Sequence, residues 1–244
     1  MNRLAILLLC FVAAMPAQTP QSAAQPFSAK VRAQYWTETR RYAERLGTFS
    51  RAGNGSWAFA TEVDHPTSTE TGPLQRVTYL LNAVRRSYIM TEPYLRTAVE
   101  LPIIDNRELA RLRMAYGDCA LLTDGTWKEV GSSKILGYRV IEVEEERTER
   151  SSVTKWVAPD LQCFSLKRVD VIDGDVRVRE EVTSIQAGEP DRSAFEIPSG
   201  YSAVSPLEME DRYRAKFGKP LFGEQAVRME EQYQRALSLR KIVR

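Results

Sequence analysis

The sequence predicts a mainly β, α+β protein: one strongly curved antiparallel sheet packed with an N-terminal helix and with C-terminal helices. Three observations carry this. From Asn54-Gly55 onward apolar residues recur at every second position. Asp124-Gly125 and Asp173-Gly174 punctuate that pattern as hairpin turns, and after Asp211 the composition changes to Glu, Arg, Gln, Ala, Leu and Met. The chain has 244 residues, 43% hydrophobic and 27% charged, which supplies one large core and excludes a disordered tail. No internal repeat, low-complexity block or long linker divides it.

Met1-Asn2-Arg3 is a short positive start, Leu4 to Ala14 is almost unbroken in its apolarity, and small residues follow at Ala17, Ala23 and Ala24. This is the layout of a Sec-type signal peptide, assigned to residues 1–24, with cleavage after Ala14, Ala17 or Ala24. The run is too short for a bilayer, which takes about 20 apolar residues, so no transmembrane segment is expected after cleavage. Cys10 lies inside the apolar run and lacks the small residue that precedes a lipidated cysteine. The expected location is therefore periplasmic or secreted. Cleavage leaves Cys119 and Cys163, either a disulfide or two separately buried thiols. A bridge would close a loop of about 44 residues, worth about 4 kcal/mol by chain entropy.

Ser28 reads as the cap of a helix running to about Leu46, with Val31, Tyr35, Tyr42, Ala43 and Leu46 on one face and Gly47 as its stop. Trp57, Phe59, Thr61 and Val63 then share one face of a strand. Arg76 to Leu81, Arg86 to Thr91 and Leu95 to Glu100 continue as an antiparallel meander. Asp105 and Glu108 form a capping-box pattern before a short helix with Leu109, Leu112 and Met114. A hairpin is expected around Asp124-Gly125. Strands follow over Gly137 to Glu144, Ser151 to Val157 and Leu161 to Ile172, with a primed turn at Asp173-Gly174 inside a hairpin spanning 161–185. Two helices, about 206–217 and 224–241, end the chain.

Ile135-Leu136-Gly137-Tyr138-Arg139-Val140, Thr154-Lys155-Trp156-Val157-Ala158-Pro159-Asp160-Leu161 and Leu166-Lys167-Arg168 form one set of motifs. Ile185-Gln186-Ala187-Gly188-Glu189-Pro190-Asp191, Phe195-Glu196-Ile197-Pro198 and Tyr201 form another. Over about residues 50–202 these resemble a group of uncharacterised secreted bacterial proteins whose strand order is similar to the LolA and LppX type of outer-membrane lipoprotein carrier. The resemblance implies a half-barrel with an apolar concave face, and divides the chain into a LolA-like domain, 25–205, and a helical extension, 206–244. Independently, Pro190 and Asp191 can start one helical turn, with Phe195, Ile197 and Tyr201 pinning the chain onto the sheet.

The balance of 34 basic against 32 acidic residues lacks the concentrated basic field of a nucleic-acid binder. His65, the one histidine, sits in a polar loop without a G-x-S-x-G elbow, so a histidine-dependent triad is not expected and the chain reads as non-catalytic. The acidic run Glu142, Glu144, Glu145, Glu146 and Glu149 has no calcium-loop spacing, and neither metal nor cofactor is expected. Trp57, Phe59, Tyr79, Tyr88, Tyr138 and Trp156 are the candidate ligand-binding side chains, lining a cavity or filling a core.

Two functions follow. One is a non-catalytic envelope protein holding an apolar ligand, a lipid or lipoprotein acyl chain, on the concave face of a half-barrel. The other is an envelope interaction or sensing module that docks on a partner protein through its sheet edge or its C-terminal helix, where Ala226, Met229, Tyr233 and Leu237 line one side.

Overall fold

The computed structural model describes residues 25–36, 42–66, 74–114, 116, 119 and 127–242. Residues 1–24, expected to be a signal peptide and containing Cys10, and the hairpin expected at Asp124-Gly125 lie outside the described residues. In chain order the elements are β1 (Phe27–Trp36), β2 (Tyr42–Arg51), β3 (Trp57–Val63), β4 (Gln75–Asn82), β5 (Ser87–Glu92), β6 (Thr97–Pro102) and α1 (Asn106–Met114). They continue with β7 (Lys128–Ile135), β8 (Tyr138–Thr148), β9 (Ser151–Ala158), β10 (Phe164–Ile172), β11 (Asp175–Ala187), β12 (Ser202–Ala203), α2 (Pro206–Phe217) and α3 (Gln225–Ile242). The twelve strands of the described residues form one sheet in the order β12-β6-β5-β4-β3-β2-β1-β11-β10-β9-β8-β7. The sheet is mixed rather than wholly antiparallel, because the two residues of β12 pair parallel to β6.

The N-terminal helix is not formed. Residues 27–36 and 42–51 form instead the antiparallel strands β1 and β2, in register from Phe27 opposite Arg51 to Trp36 opposite Tyr42, and β1 pairs on its other side with β11. The period is two: Phe27, Ala29 and Ala33 are buried, while Ser28, Lys30, Arg32 and Gln34 are not. Ladder bonds on both sides of β1 outweigh the helical propensity of its Lys, Arg and Gln residues. Gly47, expected to end a helix, lies inside β2, where a side chain would meet the carbonyl oxygen of Ala60 at 3.0 Å. Glycine is what lets β2 and β3 approach there.

The remaining elements follow their local signals. Asp173 and Gly174 both take positive φ, as a two-residue primed turn between β10 and β11 demands. Asp105 accepts the Arg107 amide at 2.8 Å at the start of α1. Ser205 caps α2, and Gly218 ends it in the left-handed region.

The sheet curves without closing, a half-barrel. Its curvature is visible in single side chains. The rings of Phe49 on β2 and Phe164 on β10 stack with centroids 4.5 Å apart, and Phe27 on β1 lies 5.1 Å from Phe164. In a flat sheet β2 and β10, three spacings apart, would hold those rings about 14 Å from each other. The inner face buries Phe27, Phe49, Trp57, Leu81, Val140, Leu161, Phe164 and Leu166 beneath Leu109 of α1. Alternate residues Ala58, Leu80, Ile89 and Ala98 form an outer cluster covered by Phe195, Ile197 and Tyr201, after a helical turn that Asp191 caps through the Ser193 amide.

Candidate functional site

The six aromatic candidates all join one inner-face cluster, with Trp57 fully buried and the other five half-buried. Trp57 donates its indole N–H to the Leu112 carbonyl of α1 at 2.6 Å. Tyr116, just beyond α1, sits among them: its ring is 4.6 Å from Trp57 edge-on, 5.4 Å from Phe49 and 5.6 Å from Phe59. Burial pushes the Tyr116 hydroxyl up to about 12, and raises Tyr79 and Tyr88 too. At the far side Trp156 carries the Lys167 ammonium 4.2 Å above its ring, while Tyr138 packs against the cluster from the start of β8. A disulfide joins Cys119 to Cys163, tying the chain after α1 to the start of β10.

Toward the other end of β3, β4 and β5 the inner face is not filled. A pocket of about 400 Å³ opens between the sheet and α2, within the range of small-ligand sites. Its floor is Val63, Val77, Tyr79 and Met90; its roof is Met209 and Tyr213 of α2 with Leu221 and Phe222 of the turn to α3. Tyr79 therefore belongs both to the aromatic cluster and to the pocket.

One buried carboxylate builds the roof. Glu210 accepts the amides of Leu221, Phe222 and Gly223 at 3.0, 2.7 and 3.3 Å, and the Arg214 guanidinium at 2.7 Å. Burial alone would raise its carboxyl, but the amide donors and Arg214 outweigh it and hold the group below its ordinary value. A second buried acid, Glu92, lies in the pocket wall and accepts the Leu95 amide at 2.9 Å. There burial dominates and raises the carboxyl against the pull of the Leu95 and Tyr94 amides and of Lys216 and His65.

The mouth is knitted by polar contacts. Tyr94 donates to the Val63 carbonyl at 3.2 Å, Lys216 donates to the Tyr94 carbonyl at 2.7 Å, Lys219 bonds the Pro66 carbonyl, and Arg45 pairs with Asp64. His65 packs edge-on between Tyr94 and Phe217, at 4.7 and 5.6 Å. Sequence reasoning missed Val77, Met90, Glu92, Met209, Tyr213, Leu221 and Phe222. Val77 alternates with Tyr79, Met90 and Glu92 with Tyr88, and Met209 and Tyr213 lie four apart on α2, but periodicity fixes only a face, and the pocket exists only once α2 folds back over the sheet beside β6. The side of α3 offered for docking is partly used within the chain: Ala226 is buried and Met229, Tyr233 and Leu237 are half-buried. Among the described residues no cluster of His, Cys, Asp and Glu is placed to hold a metal, and no helix is long and apolar enough to cross a membrane.

No protein-family model matches the chain, and no curated protein matches it. Among solved structures it is similar to an uncharacterised conserved protein from Thermus thermophilus, at 11% identity over 74% of this chain and 90% of that one, with a TM-score of 0.46. It is also similar to a chain of the Pseudomonas aeruginosa MucA/MucB complex, at 12% identity over 75% of this chain and 59% of that one, with a TM-score of 0.45. A LolA superfamily protein from Nitrosomonas europaea matches at 11% identity over 71% and 90%, with a TM-score of 0.32.

Proposed function

We propose that this is an exported, non-catalytic protein of the cell envelope, periplasmic or secreted, that binds an apolar ligand, a lipid or lipoprotein acyl chain, on the inner face of its half-barrel. Residues 25–205 form the binding domain and 206–244 its helical cover. The observation that carries this reading is the apolar pocket of about 400 Å³ on the inner face, floored by alternate strand residues and roofed by α2. Mostly apolar walls, with the buried Glu92 as one polar group among them and others at the rim, suit a hydrocarbon chain rather than a sugar or nucleotide. Trp57, Phe59, Tyr79, Tyr88, Tyr138 and Trp156 extend that apolar surface along the sheet, and Tyr79 is where the two meet.

Filling the pocket tests this. Val77→Trp places an indole on its floor, and we expect the wild type to bind a fluorescent acyl-chain probe at one equivalent while Val77→Trp binds it at least about tenfold more weakly with its thermal midpoint retained. Equal binding by a folded Val77→Trp would remove the pocket from the account.

One observation favours docking on an envelope partner as a second reading. β7 ends the sheet with most of its side chains exposed, and among the described residues no strand pairs with its outer side, where an extended partner segment could add.

A further inference from the structure

Arg51, at the end of β2, is 2% exposed. It lies directly across the ladder from Phe27 on one side and Trp57 on the other, and its guanidinium carbon sits 5.6 Å over the Phe49 ring. Its Nη1 donates to the Gln162 side-chain oxygen at 3.2 Å, while its Nη2 is buried with no acceptor among the described residues. None of its ion-pair distances to a carboxylate falls within 4.0 Å among the described residues; Glu189, which reaches the same strand end, accepts the Gly53 amide instead. Burial with no compensating charge lowers the guanidinium to about 10. A buried cation held by one neutral hydrogen bond is costly, and a packed aromatic core does not need it.

The neighbouring turn is also held in an uncommon conformation. Gln162 and Cys163 are successive non-glycine residues at φ 57° and 59°, fixed by bonds from their amides to the Pro159 and Ala158 carbonyls at 3.0 and 2.8 Å and by the disulfide to Cys119. Paired left-handed residues persist where the surroundings over-determine them, and here they present the half-buried Gln162 amide to Arg51.

We propose that Arg51, with Gln162 beside it, receives the oxyanion head of the ligand, a carboxylate or a phosphate, so that the protein selects anionic amphiphiles over neutral ones. This rests on the reading of the inner face as an apolar-chain site. A planar guanidinium with an unused N–H donor matches either head in geometry and charge, and the aromatic faces around it suit the first methylenes of a chain.

The test is calorimetric titration of the mature protein at neutral pH with laurate, dodecyl phosphate, dodecanol and inorganic phosphate. Laurate or dodecyl phosphate is expected to bind about tenfold or more tightly than dodecanol, with the tighter of the two naming the head, and inorganic phosphate only weakly. Arg51→Met is expected to bind dodecanol as the wild type does and to lose the preference for the anion; Arg51→Lys is expected to keep part of it. If the wild type binds dodecanol as tightly as both anions, or if Arg51→Met keeps the full preference, the assignment to Arg51 fails while the apolar site stands. Inorganic phosphate binding as tightly as dodecyl phosphate overturns the amphiphile reading in favour of a bare oxyanion site. Absence of binding by all three chain ligands overturns the apolar-chain site and this inference together. Should Arg51→Met not fold, the wild-type comparison and Arg51→Lys decide the question.

Discussion

Glu210 shows how one side chain shapes the pocket. Its carboxylate gathers three consecutive amides, those of residues 221–223, and so places Leu221 and Phe222 over the sheet. Hydrogen bonds to a charged group are worth about 1.5–3 kcal/mol each, and not additively, so Glu210→Ala should cost about 2–4 kcal/mol and weaken binding of an acyl-chain probe. The sign of the pH dependence follows from the lowered carboxyl. Its contribution is complete above the unfolded carboxyl value of about 4.5 and is lost as the pH falls through the lower folded value. Thermal midpoints of wild type and Glu210→Gln, measured from neutral pH into acid, should therefore converge as the pH drops below that range; a constant difference would contradict the role given to the charge. The aromatic half of the site was legible in the sequence because Trp57, Phe59, Tyr79 and Tyr88 alternate along strands, and alternation fixes a face. Glu210 was not legible, since the amides it gathers lie eleven to thirteen residues away across a turn with no periodic signal.

At the scale of elements, the residues expected to form an N-terminal helix show where sequence patterns compete. Val31, Tyr35, Tyr42, Ala43 and Leu46 fit a helical stripe, yet Phe27, Ala29 and Ala33 fit a strand, and non-local pairing decided between them. The β10–β11 hairpin was legible because Asp173-Gly174 is a local signal that needs no distant partner. The short turn capped by Asp191 was legible for the same reason. α1 with Tyr116 covers the aromatic cluster, and the Cys119–Cys163 disulfide fastens the chain just beyond it. Replacing both cysteines by serine should lower stability by up to about 4 kcal/mol, the chain-entropy ceiling for this loop. Denaturant midpoints with and without reductant check this: reductant should shift the wild type toward the double variant and leave the variant itself unmoved.

Across the whole molecule the curved sheet turns one face inward and leaves its two edges unequal. The β12 edge is two residues long and lies where α2 and α3 pack on β6, whereas β7 presents eight residues. Helices therefore cover the inner face at one end and leave the pocket beneath them. Curvature was legible only through the motif resemblance, because alternation along strands is the same in a flat sheet and a bent one. The aromatic stack of Phe27, Phe49 and Phe164 supplies its physical expression. Native mass spectrometry of the mature protein from the exported fraction, followed by organic extraction and comparison with Val77→Trp, decides whether the inner face holds an acyl chain. One equivalent of an acyl-chain compound is expected on the wild type, with its loss from Val77→Trp. A wild type that is folded, free of extractable lipid and unable to take up added acyl chains would contradict this reading, and would move the weight to a partner docking on β7.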